Sequence, residues 1–180
     1  MRNLNLANIL TALRLALAPL AVRAILEREF RLALAIFFAA AVTDGLDGLA
    51  ARRLDQKTRL GAYLDPIADK ILLSASYLAL GACGSVPWWL VILIFARDLL
   101  ILVMAGAALL FTKYRDFPPS IWGKISTAFQ ILAAVAALAK GAFLAALPLA
   151  PFLWAAAAAT TWSGADYIWR GVGMARQRTA

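Results

Sequence analysis

Six apolar runs, separated only by short polar breaks, decide what this chain can fold into. They cover roughly Ile9–Leu26, Leu32–Ala51, Leu60–Ala82, Val86–Phe111, Ile121–Ala139 and Phe143–Trp169. A helix of about 20 mostly apolar residues crosses a bilayer core. Inside that core each backbone polar group needs a partner, which favours helices over open sheets. The chain is 63% hydrophobic and 16% charged over 180 residues, too little polar surface for an ordinary soluble domain. The pattern predicts an all-α integral membrane protein, one domain over residues 1–180 with six transmembrane helices.

The breaks have physical causes. Glu27-Arg28-Glu29 is too charged to stay in lipid, and Gly81, Gly84 and Pro87 punctuate a turn. Phe117-Pro118-Pro119-Ser120 stops one helix and caps the next, since proline tolerates a helix start but not its interior. Gly141 and Pro148 mark the last connection, and the alanine run 155–159 reads as a close-packing helix face. In the first eight residues Leu4 and Leu6 alternate with Asn3, Asn5 and Asn8, the pattern of a short interfacial helix over 1–8. No small-residue cleavage site follows the first apolar run, so it reads as a retained span rather than a signal peptide.

Charge gives the orientation. Six spans place both termini on one side, together with Arg2, Arg52, Arg53, Lys57, Arg59, Lys113, Arg115, Lys124, Arg170, Arg176 and Arg178. The other side receives Arg23, Arg28, Arg31 and Lys140. Eleven against four makes the first side cytoplasmic. Trp88 and Trp89 then fall at the opposite interface, where indoles favour headgroup level. The net charge of +8 accordingly reads as topology and contact with anionic lipid headgroups, not nucleic-acid binding. The expected location is a bacterial inner (cytoplasmic) membrane. One cysteine, Cys83, rules out an intrachain disulfide, and the absence of histidine leaves acid–base chemistry to carboxylates, with Lys and Tyr poorer candidates.

Four acids interrupt the second and third runs: Asp44, Asp47, Asp65 and Asp69. Intramembrane acids are costly and mark function. Spacings of three and four put each pair on one helix face, in consecutive antiparallel helices. Asp44 lies eight residues before Arg52, about 12 Å along a helix, which sets a polar pocket just inside the cytoplasmic boundary. Four close carboxylates repel one another, and a divalent cation relieves that repulsion. All-oxygen ligation suits Mg²⁺, Mn²⁺ or Ca²⁺, which fill their shells with water and substrate phosphates. Three acids suffice for one or two bridged ions, and the fourth can serve as a general base. Gly48, Gly61 and Ala51 allow close approach of a ligand or helix, and Arg52 can meet a phosphate bidentately. Asp98, beside Arg97, reads equally well as an ion-paired strut, and Asp166 as an interfacial polar residue.

The pattern D-x-x-D-G-x-x-A-R, eight residues, then G-x-x-x-D-x-x-x-D, spans Asp44 to Asp69 and resembles the signature of the CDP-alcohol phosphatidyltransferase family at every position. Asn8-Ile9-Leu10-Thr11-Ala12-Leu13-Arg14, the stretch Gly61 to Lys70, and Gly123-Lys124 with Thr127 and Gln130 are similar to its phosphatidylglycerophosphate- and cardiolipin-forming branch. The resemblance implies the six-helix CDP-alcohol phosphotransferase fold, usually as a homodimer. It implies that an acceptor hydroxyl attacks the lipid-side phosphorus of a CDP-linked donor and CMP leaves. Asp44, Asp47 and Asp65 would hold metal, with Asp69 a shared ligand, a base, or both. The expected cofactor is Mg²⁺ or Mn²⁺, two per active site. Asp47, Gly48, Ala51, Arg52 and Gly61 would line the CDP site. Asn8, Thr11, Arg14, Arg97, Lys113, Arg115 and Lys124 are the candidates for holding the acceptor or its phosphate. The Arg97-Asp98 pair, in place of the Arg-Glu pair frequent in phosphatidylglycerophosphate synthases, looks closer to CMP-forming cardiolipin synthases. Those transfer a phosphatidyl group from CDP-diacylglycerol to phosphatidylglycerol; the alternative acceptor is glycerol 3-phosphate. A divalent-cation transporter is the remote rival, since few polar residues continue a path beyond the acids. An inactive scaffold is disfavoured by the intact acid set.

Overall fold

A computed structural model describes the backbone over residues 6–54, 59–111 and 120–176, and side chains over 13, 15–43, 70–104, 106 and 120–170. Six helices follow in order: α1 (Leu6–Leu26), α2 (Phe30–Leu54), α3 (Arg59–Ala82), α4 (Trp88–Phe111), α5 (Ile121–Ala142) and α6 (Ala150–Arg176). Among the described residues there is no strand. Five of the six apolar runs therefore became helices within a few residues of their expected ends. The sixth runs from Ala150 to Arg176 rather than from Phe143 to Trp169. Pro148 and Pro151 explain the delay: Pro148 lies outside the helix, and Pro151 sits in its first turn, where no N–H is needed. Leu6 to Asn8 belong to α1, and the rest of the expected interfacial segment 1–8 lies outside the described residues.

The chain forms two compact units. The first holds α1, α2, α3 and the last part of α5, over residues up to Val86 and Ala134–Leu147. There α1 packs on both α2 and α3. Its buried face is Ala18, Ala21, Ala24 and Ile25; α2 contributes Ala33, Ile36, Phe37 and Ala40; α3 contributes Leu72, Leu73, Ser76, Tyr77 and Leu80. The three- and four-residue spacings are those of single helix faces. The alanines let backbones approach closely, as packing in lipid favours.

Helix ends in this unit are closed by arginines. At the end of α1, Glu29 N–H donates to Ala24 C=O (2.8 Å) and Arg28 N–H to Ile25 C=O (3.0 Å), a paired cap that forces Arg28 to φ 60°. Arg28 Nη2 then donates to Cys83 C=O (3.2 Å), just past the end of α3. That helix ends on the same double bond, Ser85 N–H to Leu80 C=O and Gly84 N–H to Gly81 C=O, with Gly84 at φ 75°. Arg31 Nε donates to Ala142 C=O at the end of α5 (3.2 Å) and its guanidinium lies 5.0 Å from the centre of the Phe143 ring.

The second unit holds α4, the first part of α5 and α6, over Pro87–Ala133 and from Pro148 onward. Here α4 packs on α6. Leu90, Val91, Ile94, Ala156 and Ala157 are buried, so the expected alanine face of α6 is a packing face. This core is also polar: Ser120, Ser126, Gln130, Thr160 and Ser163 are each at most 1% exposed.

Large apolar side chains cover the outside. Leu20, Phe38, Ile92, Leu102, Val103, Trp154 and Trp162 are all more than half exposed. Among the described residues, α5 alone is long and apolar enough to cross a membrane; shorter apolar stretches are Leu15–Leu26, Phe30–Thr43 and Lys70–Ala82.

Candidate functional site

The motif positions fall on two helices of the first unit. Asp44, Asp47, Gly48, Ala51 and Arg52 are on α2, and Gly61, Asp65 and Asp69 are on α3. Helical rotation of about 100° per residue fixes their register. Asp44 and Asp47 continue the stripe of Ala33, Phe37 and Ala40, while Asp65 and Asp69 lead into that of Leu72, Leu73 and Ser76. Both stripes are buried where their side chains are described. Side chains of the motif residues lie outside the described ones. The same holds for Asn8, Thr11 and Arg14, whose positions are on α1. Lys113 and Arg115 lie outside the described residues altogether.

Arg97 and Lys124 come together in the second unit. They line a cavity of about 470 Å³ with Ile101, Ser120, Gly123, Thr127, Ala128, Ile131 and Tyr167. Arg97 is 8% exposed. Its Nε and Nη2 both donate to Ser163 Oγ, at 3.2 and 2.6 Å, and its Nη1 donates to Asp98 Oδ1 at 3.1 Å. The guanidinium carbon stands 5.9 Å from the Tyr167 ring centre. The Arg97–Asp98 strut exists, then, yet the same guanidinium also faces a cavity. A guanidinium has five N–H groups in a fixed fork, so three bonds leave one N–H on each Nη for an oxyanion.

Ser120 organises the other wall. As the cap of α5 its Oγ accepts Trp122 N–H (3.2 Å) and donates to the Asp166 carboxylate, which also accepts from Arg170 Nε. Ser120 N–H donates to Tyr167 Oη (3.3 Å). Asp166 is thus more than an interfacial polar residue: it ties α6 to the start of α5. Thr127 donates to Gly123 C=O one turn back (3.1 Å). Gln130 lies deeper, bonded to Ser126 and Thr160. Ser163 and Tyr167 were not singled out from sequence. Their signal was available, as Thr160, Ser163 and Tyr167 recur at three and four residues along α6.

The sequence profile described as CDP-alcohol phosphatidyltransferase matches residues 4–162. The chain belongs to the CDP-alcohol phosphatidyltransferase family. A probable phosphatidylglycerophosphate synthase from Mycobacterium tuberculosis is 37% identical over 183 residues, covering 93% of this chain and 82% of that protein. A CMP-forming cardiolipin synthase from Streptomyces coelicolor is 34% identical over 182 residues, 95% of this chain and 81% of that protein. Another, from Rattus norvegicus, is 36% identical over 156 residues, 76% of this chain and 50% of that protein. This phosphatidyltransferase is accordingly an enzyme of phospholipid biosynthesis. The family is membrane-associated and generally dependent on a divalent metal. The donor chemistry fits such an ion: four aspartates in helical register, no histidine in the chain, and the lone Cys83 just past the far end of α3.

Proposed function

We propose that this phosphatidyltransferase is a CMP-forming cardiolipin synthase, moving a phosphatidyl group from CDP-diacylglycerol to phosphatidylglycerol. The observation that carries the acceptor choice is the cavity around Arg97. Its guanidinium is already shared with Asp98 and Ser163, Lys124 is the second cation, and Ile101, Ala128 and Ile131 make an apolar wall. That wall suits an acceptor with one phosphodiester and acyl chains. Glycerol 3-phosphate carries a dianionic phosphate and no chains, and calls for more positive charge. The second reading, phosphatidylglycerophosphate synthase, is favoured by the name of the Mycobacterium tuberculosis relative, matched over 93% of this chain.

In this reading Asp44, Asp47, Asp65 and Asp69 hold two Mg²⁺ or Mn²⁺ ions. When bound, the ions supply charge neutralisation for the diphosphate and the leaving CMP. Arg52 takes a phosphate oxygen of the donor with its two-pronged donor edge. Gly48, Ala51 and Gly61 keep the CDP wall low. Asp69 accepts the proton of the acceptor hydroxyl as its oxygen bonds to the lipid-side phosphorus, and the bond from that phosphorus to CMP breaks. The register of the acids, in line with buried stripes of α2 and α3, supports a shared interior pocket. We place all six helices across the membrane as one domain, with both termini and the acids on the cytoplasmic side, in a homodimer. The exposed apolar side chains on α1, α2, α4, α5 and α6 support that placement.

The test is an acceptor panel. Purified enzyme with CDP-diacylglycerol and Mg²⁺ or Mn²⁺ is given phosphatidylglycerol, glycerol 3-phosphate or inositol phosphate, with CMP and lipid products resolved by mass. Cardiolipin from phosphatidylglycerol is the expected product. Phosphatidylglycerophosphate as the dominant product would transfer the assignment to the second reading.

A further inference from the structure

The polar face of α6 carries one job that neither the motif nor the packing requires. Ser163 is fully buried and directs its single hydroxyl oxygen at two donors of one guanidinium, Arg97 Nε and Nη2. This fastens the side edge of the Arg97 fork to α6. Asp98 takes one N–H of Nη1. Outside these bonds stands one N–H on each terminal nitrogen, two donors suited to the oxygens of a phosphate. Opposite, Gly123 leaves the room: a Cβ there would stand 3.1 Å from Arg97 Nη2 and 3.5 Å from Tyr167 Oη. A lysine at position 97 could keep the charge but not the two-edged grip.

We propose that Ser163 is a positioning residue for phosphate recognition, locking the Arg97 fork in the orientation that presents its end to the acceptor's phosphate, with Gly123 as the clearance the fork needs. This rests on the cavity being the acceptor's phosphate site. Ser163 touches no substrate itself. Its effect falls on affinity for the phosphate-bearing acceptor, not on the chemical step.

The experiment uses the full-length enzyme in detergent micelles, wild type beside Ser163→Ala and Gly123→Ala, each checked for folding by circular dichroism. Steady-state CMP release is measured while acceptor and CDP-diacylglycerol are varied in turn, and the Kd for inorganic phosphate is measured by calorimetry. Loss of the Ser163 bonds should raise the acceptor KM and the phosphate Kd by about tenfold, with kcat within about twofold and the donor KM unchanged. Gly123→Ala should move the same two constants in the same direction. Unchanged acceptor KM and phosphate Kd in folded Ser163→Ala overturn the proposal. So does a common shift of kcat and both KM values, which would make Ser163 only a packing residue, or a wild-type enzyme that binds no phosphate. A wild type that releases no CMP with any acceptor, yet binds phosphate more tightly than folded Ser163→Ala does, would overturn the cardiolipin synthase reading and leave the positioning role standing.

Discussion

Replacing Thr160 by valine tests whether the polar core of the second unit holds the cavity wall in place. Thr160 Oγ1 accepts from Gln130 Nε2 at 3.0 Å and lies 3.2 Å from Ser126 Oγ, while Gln130 Nε2 also reaches Ser126 Oγ at 3.2 Å. All three side chains are 0% exposed. Valine keeps the branched shape, so the change removes the oxygen and little packing. In water, each lost bond would cost about 1 kcal/mol, and a stranded buried group up to about 3 kcal/mol. In a bilayer the unfolded reference state also finds partners, and interhelical bonds average about 0.6 kcal/mol. Two contacts therefore set the expected loss at about 1–2 kcal/mol, a factor of roughly 5–30 in the folding equilibrium. Reversible unfolding in mixed SDS micelles, followed by far-UV circular dichroism, reads this directly. A cycle with Gln130→Leu should give a coupling of about 0.6 kcal/mol or more. Thr160→Val with wild-type stability and no coupling to Gln130 would refute the network. Because Thr127 and Ile131 of the cavity flank Ser126 and Gln130 on α5, a loosened network should also raise the acceptor KM.

Asp69→Asn should lower CMP release by about 10²–10⁴-fold, the range of a lost general base, while CDP-diacylglycerol still binds; full activity would remove Asp69 from its assigned role. Chelation by EDTA should stop CMP release, and Mg²⁺ or Mn²⁺, but not Na⁺, should restore it; turnover that persists in chelator would refute the carboxylate–metal reading. Arg28→Ala loses the bond to Cys83 C=O and keeps a side chain at φ 60°, whereas Arg28→Gly loses the bond but relieves the backbone. The glycine variant should be the more stable of the two by about 1 kcal/mol in thermal unfolding, and the reverse order would refute the paired cap at the end of α1.

Helix number and most helix ends were legible because they depend on local rules: apolar length, Pro-Pro-Ser before α5, and Gly84 after α3. The start of α6 was misread because Phe143 to Leu147 is as apolar as the helix that follows, and composition alone does not register that Pro148 and Pro151 postpone the first turn. The motif was legible as chemistry because charge in an apolar run is rare. Its positions lie on α2 and α3, in register with their buried stripes. The cavity was half legible. Arg97 and Lys124 stand out as cations, but Ser163 and Tyr167 are small or aromatic residues common in membrane helices. Only the packing of α4 on α6 gives them a shared target. Asp166 was underrated for the same reason, since its main partner, Ser120, is 46 residues away in sequence.

The four cations on the minority side of the proposed orientation, Arg23, Arg28, Arg31 and Lys140, share one local role. Arg23 and Lys140 lie in the last turns of α1 and α5. Arg28 and Arg31 donate to backbone carbonyls at the ends of α3 and α5. Every one of the four thus serves a helix C-terminus, where carbonyls lack intrahelical partners and the helix dipole is negative. The four cations assigned to that side therefore sit where local helix chemistry favours them. Arg23 is further neutralised by Glu27 at 2.8 Å. Of the eleven cations assigned to the other side, Arg52, Arg53 and Arg176 likewise lie in the last turns of α2 and α6. Arg52, Arg53, Lys57 and Arg59 surround the α2–α3 connection next to the motif, and Lys113, Arg115 and Lys124 bracket the approach to α5. The excess of eleven to four supports the proposed cytoplasmic placement of the acids. Adding three lysines to the α1–α2 turn tests the point. With cysteine accessibility as the readout, moderate loss of insertion without inversion is expected. Free inversion of the whole bundle would mean that the charges around the motif do not hold it on the cytoplasmic side.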